Sequence, residues 1–182
     1  MQILTPRAAG SRRSALYRNA RSGALSRIAR GIYLPADAPA SDWDQLEAVT
    51  RRPEATICLT SALAHYDLTD DIPEALDVAI PRGKRAPVVD GAIRWHRFDL
   101  DTFELGREQM QITGSNHEIG IYSPERTIAD CFRLRSSIGY EIARDATKEW
   151  LRRGGKPAAL IQIAAQLPRT KTPVLQALEM LT

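Results

Sequence analysis

Arginine is the residue whose type and spacing most clearly prescribe a chemistry in this chain. Arg7, Arg12, Arg13, Arg18, Arg21, Arg27 and Arg30 all fall within the first 35 residues, where no Asp or Glu occurs. Residues 36–182 hold the other 18 basic residues against 22 acidic ones, so a basic head precedes a mildly acidic body although the net charge is only +3. A guanidinium is a planar fork of donors. It matches two phosphate oxygens, or the O6 and N7 edge of guanine, better than an ammonium does. Seven such groups with no carboxylate to neutralise them suit a polyanion.

Other chemistries find less support. Metal-dependent nucleases need clustered carboxylates around a hard cation, and one familiar arrangement places lysine two residues after an acid. The four lysines, Lys84, Lys148, Lys156 and Lys171, follow Arg82, Ala146, Gly154 and Arg169 at that distance, none of them acidic. Asp70 and Asp71 sit in "LTDDIP", a turn in which Asp is common. His65, His96 and His117 are not spaced to share a zinc ion with one another or with a cysteine, and they suggest no Ser-His-acid triad. No metal, cofactor or catalytic residue is therefore expected. "PRGKRAP" lacks the upstream glycine and the following Ser or Thr of a phosphate loop. Its Arg82, Lys84 and Arg85 read first as a solvated basic loop, with a second phosphate contact as the alternative. "SPERTIADCF" reads as a well-capped helix start: Ser123 at the N-cap, Pro124 at the first helical position, Glu125 facing the dipole, and Arg126 with Asp130 as an i,i+4 pair. Cys58 and Cys131 lie in apolar-patterned segments, as buried thiols do.

The elements that must carry the arginines follow from periodicity. "SRRSALYRNARSG" predicts a helix with Ser11 as N-cap and Gly23 just past its end. Leu16 and Ala20 share one face of it; Arg13, Ser14, Tyr17, Arg18 and Arg21 share the other. "TPRAAG" predicts a short preceding helix, with Thr5 as N-cap and Pro6 at its first position. "GALSRIARGIYLP" predicts a tight hairpin, with Gly31 free to take a positive φ in the turn. Helix, turn, basic helix and basic hairpin is the order of a winged helix-turn-helix. In that arrangement the second helix lies in the major groove, and Arg27 and Arg30 meet a phosphate or the minor groove from the wing.

"LPADAPASDWD" is rich in Pro and Ala and reads as a linker. It divides the chain into a domain over residues 1–35, a linker over 36–42 and a larger domain over 43–182. In the larger domain "DQLEAVTRR" and "SALAHYDL" predict helices, and "ATICLT", "EALDVAIP", "AIRWHRF", "EQMQIT" and "HEIGIYS" predict strands. Leu76, Val78 and Ile80 fall on one face of their strand, as do Ile93 and Trp95 on theirs. Four helical stretches close the chain. The expected class is α+β, a mixed sheet with a C-terminal helical cluster. No run approaches the roughly 18 apolar residues of a membrane span, and "MQILTPRAAG" carries no signal-like apolar stretch, so a cytoplasmic protein is expected.

Three stretches in order, "SGALSRIARGIYLP", "ICLTSALAHYDLTDDIPEALDVAIP" and "GIYSPERTIADCFRLRSSIGYEIARDATKEWLRRGG", resemble the AbiEi family of antitoxins and transcriptional regulators from bacterial abortive-infection type IV toxin–antitoxin systems. The resemblance implies a winged-helix N-terminal domain that represses its own operon by binding inverted repeats in double-stranded DNA, with self-association on the DNA. It implies a non-catalytic C-terminal domain that counters a nucleotidyltransferase-like toxin without forming a stable complex with it. By position, Arg12, Arg13, Tyr17, Arg18 and Arg21 match the recognition-helix segment, and Arg27 and Arg30 match the wing. Arg13, Tyr17 and Arg21 are expected in the groove, and Arg12, Arg18, Arg27 and Arg30 on phosphates. Family members begin with a full helix before the segment equivalent to "LTPRAAG", which this sequence departs from. A domain of about 35 residues buries too little core to stand alone, so it is expected to lean on the larger one. The alternatives are a nuclease with a winged-helix targeting head, and a non-catalytic module that binds an acidic protein or RNA.

Overall fold

The computed structural model describes residues 3–6, 12–37 and 42–181, the side chain of Arg13 excepted. Its fold is α+β, with eight α-helices and two sheets among the described residues. Helix α1 (Arg13–Arg21) is followed by strands β1 (Leu25–Ala29) and β2 (Ile32–Pro35), which pair antiparallel. Helix α1 ends at Ser22, and Gly23 follows at φ 80°. A two-residue turn, Arg30–Gly31, joins the strands, and Gly31 takes the positive φ of 77° that the turn needs. Leu4 adds a further rung: its N–H donates to the Tyr33 carbonyl at 2.9 Å, and the Tyr33 N–H donates back at 2.9 Å. The expected helix over "TPRAAG" and the Ser11 cap fall largely outside the described residues, as does most of the expected linker.

After helix α2 (Trp43–Arg51) comes a five-stranded mixed sheet. Its strands are β3 (Thr56–Ile57), β4 (Leu76–Pro81), β5 (Ile93–Phe98), β6 (Arg107–Gln111) and β7 (Glu118–Tyr122), in the order β5-β4-β3-β7-β6. Strand β3 runs antiparallel to β4 and parallel to β7. Strands β4 and β5 are parallel, and β6 and β7 antiparallel. The central strand is shorter than the sequence suggests. The Cys58 N–H makes the last backbone bond to β4, donating to the Asp77 carbonyl at 3.0 Å, and Leu59 then takes φ 47°, which turns the chain sharply into helix α3 (Leu59–His65).

Both faces of the sheet are covered, so β4 is buried on both sides from Asp77 onward rather than alternating. On one side Ala79, Phe98 and Tyr122 pack beneath helices α4 (Pro124–Arg133), α6 (Tyr140–Arg152), α7 (Pro157–Gln166) and α8 (Lys171–Leu181), through Ile128, Phe132, Trp150, Leu160 and Val174. A short helix α5 (Arg135–Ile138) links α4 to α6. On the other side Val78, Ile119 and Ile121 pack with Leu46 of α2 and Leu34 of β2. The hairpin therefore contributes to the core of the larger unit.

The start of α4 locks the two edges of this architecture. Ser123 accepts from the Arg126 N–H at 3.3 Å, and Pro124 occupies the first turn. The Arg126 side chain is fully buried. It donates to Asp130 at 2.7 Å and to the carbonyls of Thr102 and Leu105 at 2.6 and 2.7 Å, with its guanidinium 4.4 Å from the Tyr122 ring centre. A Cβ at Gly106 would lie 2.8 Å from the Arg126 Cβ, so a side chain there is blocked by contact as well as by φ 66°. No helix among the described residues is long and apolar enough to cross a membrane.

Candidate nucleic-acid interface

Helix α1 carries its arginines outward because Leu16, at 5% exposure, anchors the opposite face. Arg12, Arg18 and Arg21 are exposed and form no ion pair with any described residue. Tyr17 is 47% exposed, and its ring meets Tyr33 of β2 edge to face at 6.2 Å. That contact pins the helix against the hairpin while leaving the helix's basic surface open. Arg7 and the side chain of Arg13 lie outside the described residues.

The hairpin differs from a freely projecting wing. The Arg30 N–H donates to Asp90, and the Arg30 carbonyl accepts from Arg51 Nη2 at 2.7 Å. The turn is thus clasped from both sides by the larger unit. Arg27 is half-exposed, with Nη2 3.7 Å from Asp90 and Nε donating to the Ala29 carbonyl at 3.3 Å. The Arg30 side chain stays exposed. Periodicity could not reveal this clasp, because Asp90 and Arg51 are remote in sequence.

Glu47 holds the clasp together. It is 2% exposed and accepts from Arg51 Nη2 at 3.3 Å, from the Asp90 N–H at 3.2 Å and from the Gly91 N–H at 2.9 Å. An acid in the middle of an otherwise helical, half-apolar stretch was the only local sign that it would find partners. The basic surface continues past the turn. Arg52 donates through Nη2 to the Arg85 carbonyl at 2.6 Å, which ties the end of α2 to the "RGKR" turn. Arg82, Gly83, Lys84, Arg85 and Arg97 border a shallow hollow of about 310 Å³, and Arg82 is paired with Asp99 at 2.9 Å.

His96 and the two cysteines take structural positions. His96 Nε2 lies 2.8 Å from Asp77 Oδ1, and Thr60 Oγ1 donates to Asp77 Oδ2 at 2.6 Å. Burial works to raise the Asp77 pKa. The hydrogen bonds from His96 and Thr60, helped by the His96 and Arg94 charges, outweigh it and hold the carboxyl below its ordinary value. The sign of this network was the acid inside the apolar run "LDVAIP". Cys58 and Cys131 are free and buried, and burial together with the Asp77 and Asp130 charges pushes both thiols well above their ordinary value. Thiols held protonated in this way are poor nucleophiles. Among the described residues, no group of three or more His, Cys, Asp or Glu is placed to hold a metal ion.

No family model matches the chain, and no curated protein matches its sequence. Among solved structures, the RV2827C protein from Mycobacterium tuberculosis is similar with a TM-score of 0.51 at 15% identity, covering 98% of this chain and 90% of that one. At that identity the likeness is one of fold.

Proposed function

We propose that this protein is a DNA-binding transcriptional repressor, and that it serves as the antitoxin of a type IV toxin–antitoxin system while regulating its own operon. The observation that carries the DNA-binding part is the helix α1 surface. Arg12, Arg18 and Arg21 stand exposed and unpaired among the described residues, on a helix braced by Leu16 and Tyr17 against a basic hairpin. Arginines neutralised by carboxylates would speak for a solvated face; these are not neutralised. In this reading α1 enters the major groove, with Arg13, Tyr17 and Arg21 at base edges and Arg12, Arg18, Arg27 and Arg30 on phosphates. The Tyr17–Tyr33 contact fixes the hairpin relative to α1 and the clasp fixes the turn to the larger unit, so both can meet one duplex without an ordering cost on binding. The antitoxin role, a nucleotidyltransferase-like toxin as functional partner and the absence of catalysis rest on the family resemblance of the three sequence stretches.

The test is a titration of the full chain against the DNA upstream of its own gene, at two salt concentrations, with random duplex as competitor. Tight, salt-sensitive binding that survives the competitor is the expected result. Binding that the competitor abolishes would reduce the head to an electrostatic patch, and metal-dependent strand cleavage would replace the repressor by a nuclease.

A further inference from the structure

A second cationic site lies across the sheet from the basic head, among the C-terminal helices. Two adjoining open hollows of about 470 and 610 Å³ share Arg135, Tyr140 and Arg169 in their walls. Arg133 and Ser136 complete one, and Thr170, Lys171 and Thr172 belong to the other. No Asp or Glu lines either hollow. Asp130, three residues before Arg133, is buried and already shared between Arg126 at 2.7 Å and Arg133 at 2.8 Å, and Glu141, which follows Tyr140, lines a different hollow. The side chains of Arg169 and Lys171 form no ion pair or hydrogen bond with any described residue.

Arg169 sits at φ 59°, in the left-handed region that a glycine would occupy without penalty. A long cationic side chain thus stands, at a backbone position that favours glycine, in the shared wall of two hollows already lined by like charges. Arg135 is steadied by its Nη1 donation to the Phe132 carbonyl at 2.8 Å, and Tyr140 by an edge contact with the Phe132 ring at 5.9 Å. Three unneutralised cations, hydroxyls from Ser136 and Thr172 and an aromatic ring are the groups that recognise phosphate oxygens beside a flat or apolar moiety. The volume suits a ligand of nucleotide size.

We infer that this cavity binds a small phosphate-bearing ligand of nucleotide size, held by Arg135, Arg169 and Lys171. The site is separate from the proposed DNA interface, so either reading can fail without the other. The test is calorimetric titration of the full chain with inorganic pyrophosphate, with ATP and with adenosine, at roughly 0.1 M salt. Pyrophosphate and ATP should bind with a Kd below about 1 mM, and adenosine should not. ATP binding at least about tenfold tighter than pyrophosphate would identify a nucleotide, and equal binding an inorganic phosphate. Arg169→Gly should weaken binding at least about tenfold while raising the melting temperature of the ligand-free chain, because glycine removes the strain. A loss of binding in a more stable protein cannot be a folding defect. Lys171→Gln should weaken binding in the same direction. The proposal is overturned if neither phosphate compound binds, if adenosine binds as tightly as ATP, or if Arg169→Gly binds like the parent. A defect of Arg169→Gly confined to duplex DNA would also overturn it, by assigning the cavity to the nucleic-acid surface.

Discussion

Individual arginines divide by what they can reach. In the proposed DNA complex Arg18, Arg27 and Arg30 meet phosphates, so replacing any one by alanine should lower the slope of log affinity against log salt by about one unit and weaken all sequences alike. Arg21→Ala should instead cost roughly 1–3 kcal/mol and relax preference at one base position. Paired titrations of operator and random duplex at two salts separate the classes. An unchanged slope in Arg27→Ala and Arg30→Ala would remove the hairpin from the interface. Asp77 supports a different prediction. Its folded pKa lies below the ordinary 3.8, so its ionised network adds stability that is fully present above that value and is lost as the pH falls below it. Asp77→Asn should be less stable than the parent at neutral pH and should show a shallower decline between about pH 4 and pH 2, read by urea melts at each pH. Equal declines would mean that other carboxylates carry the acid sensitivity.

The hairpin owes its placement to α2 more than to its own turn. Arg51 Nη2 bonds both the Arg30 carbonyl and Glu47, and the Glu47 carboxylate gathers the 90–91 backbone. Arg51→Ala should cost about 1–3 kcal/mol of stability, because it leaves Glu47 short of a partner in a buried place. It should also lower DNA affinity while leaving the salt slope unchanged, since Arg51 is assigned here to positioning the turn. A slope that falls by about one would instead put Arg51 on a phosphate. Helix α4 plays the corresponding part on the far side. Its Arg126–Asp130 pair holds the turn at 100–105 through two carbonyls, so "SPERTIADCF" is legible as a scaffold signature rather than a reactive one.

The two units share one core, which sets how the protein should behave when divided. Leu34 of the hairpin packs with Leu46, Ile57 and Val78 on the sheet face that α2 also covers. Separated fragments over residues 1–42 and 43–182 should therefore not reproduce the parent. The first should show no cooperative thermal transition, and the second should melt below the full chain. Circular dichroism melts of both decide this, and a cooperative transition in residues 1–42 alone would contradict it. The shared core also holds the hairpin at one orientation to the body, and α1 is tied to the hairpin by the Tyr17–Tyr33 contact. That rigidity is what the proposed binding of inverted repeats would require.

What local chemistry could settle, the sequence by itself determined. Helix α1 with its Leu16 anchor, the Gly31 turn, the Ser123 cap, the i,i+4 pair in α4 and the α+β class follow from periodicity, caps and turn residues, which act over a few positions. The even burial of β4, the two-residue β3 and the clasp of Asp90 and Arg51 on the hairpin turn were decided only when distant segments met. Burial on a second face and partners some 60 residues away leave no local period to read. The same holds for the cavity of Arg135 and Arg169. Its charges are scattered across three helices and their links, and their shared lack of carboxylates exists only once the C-terminal helices pack.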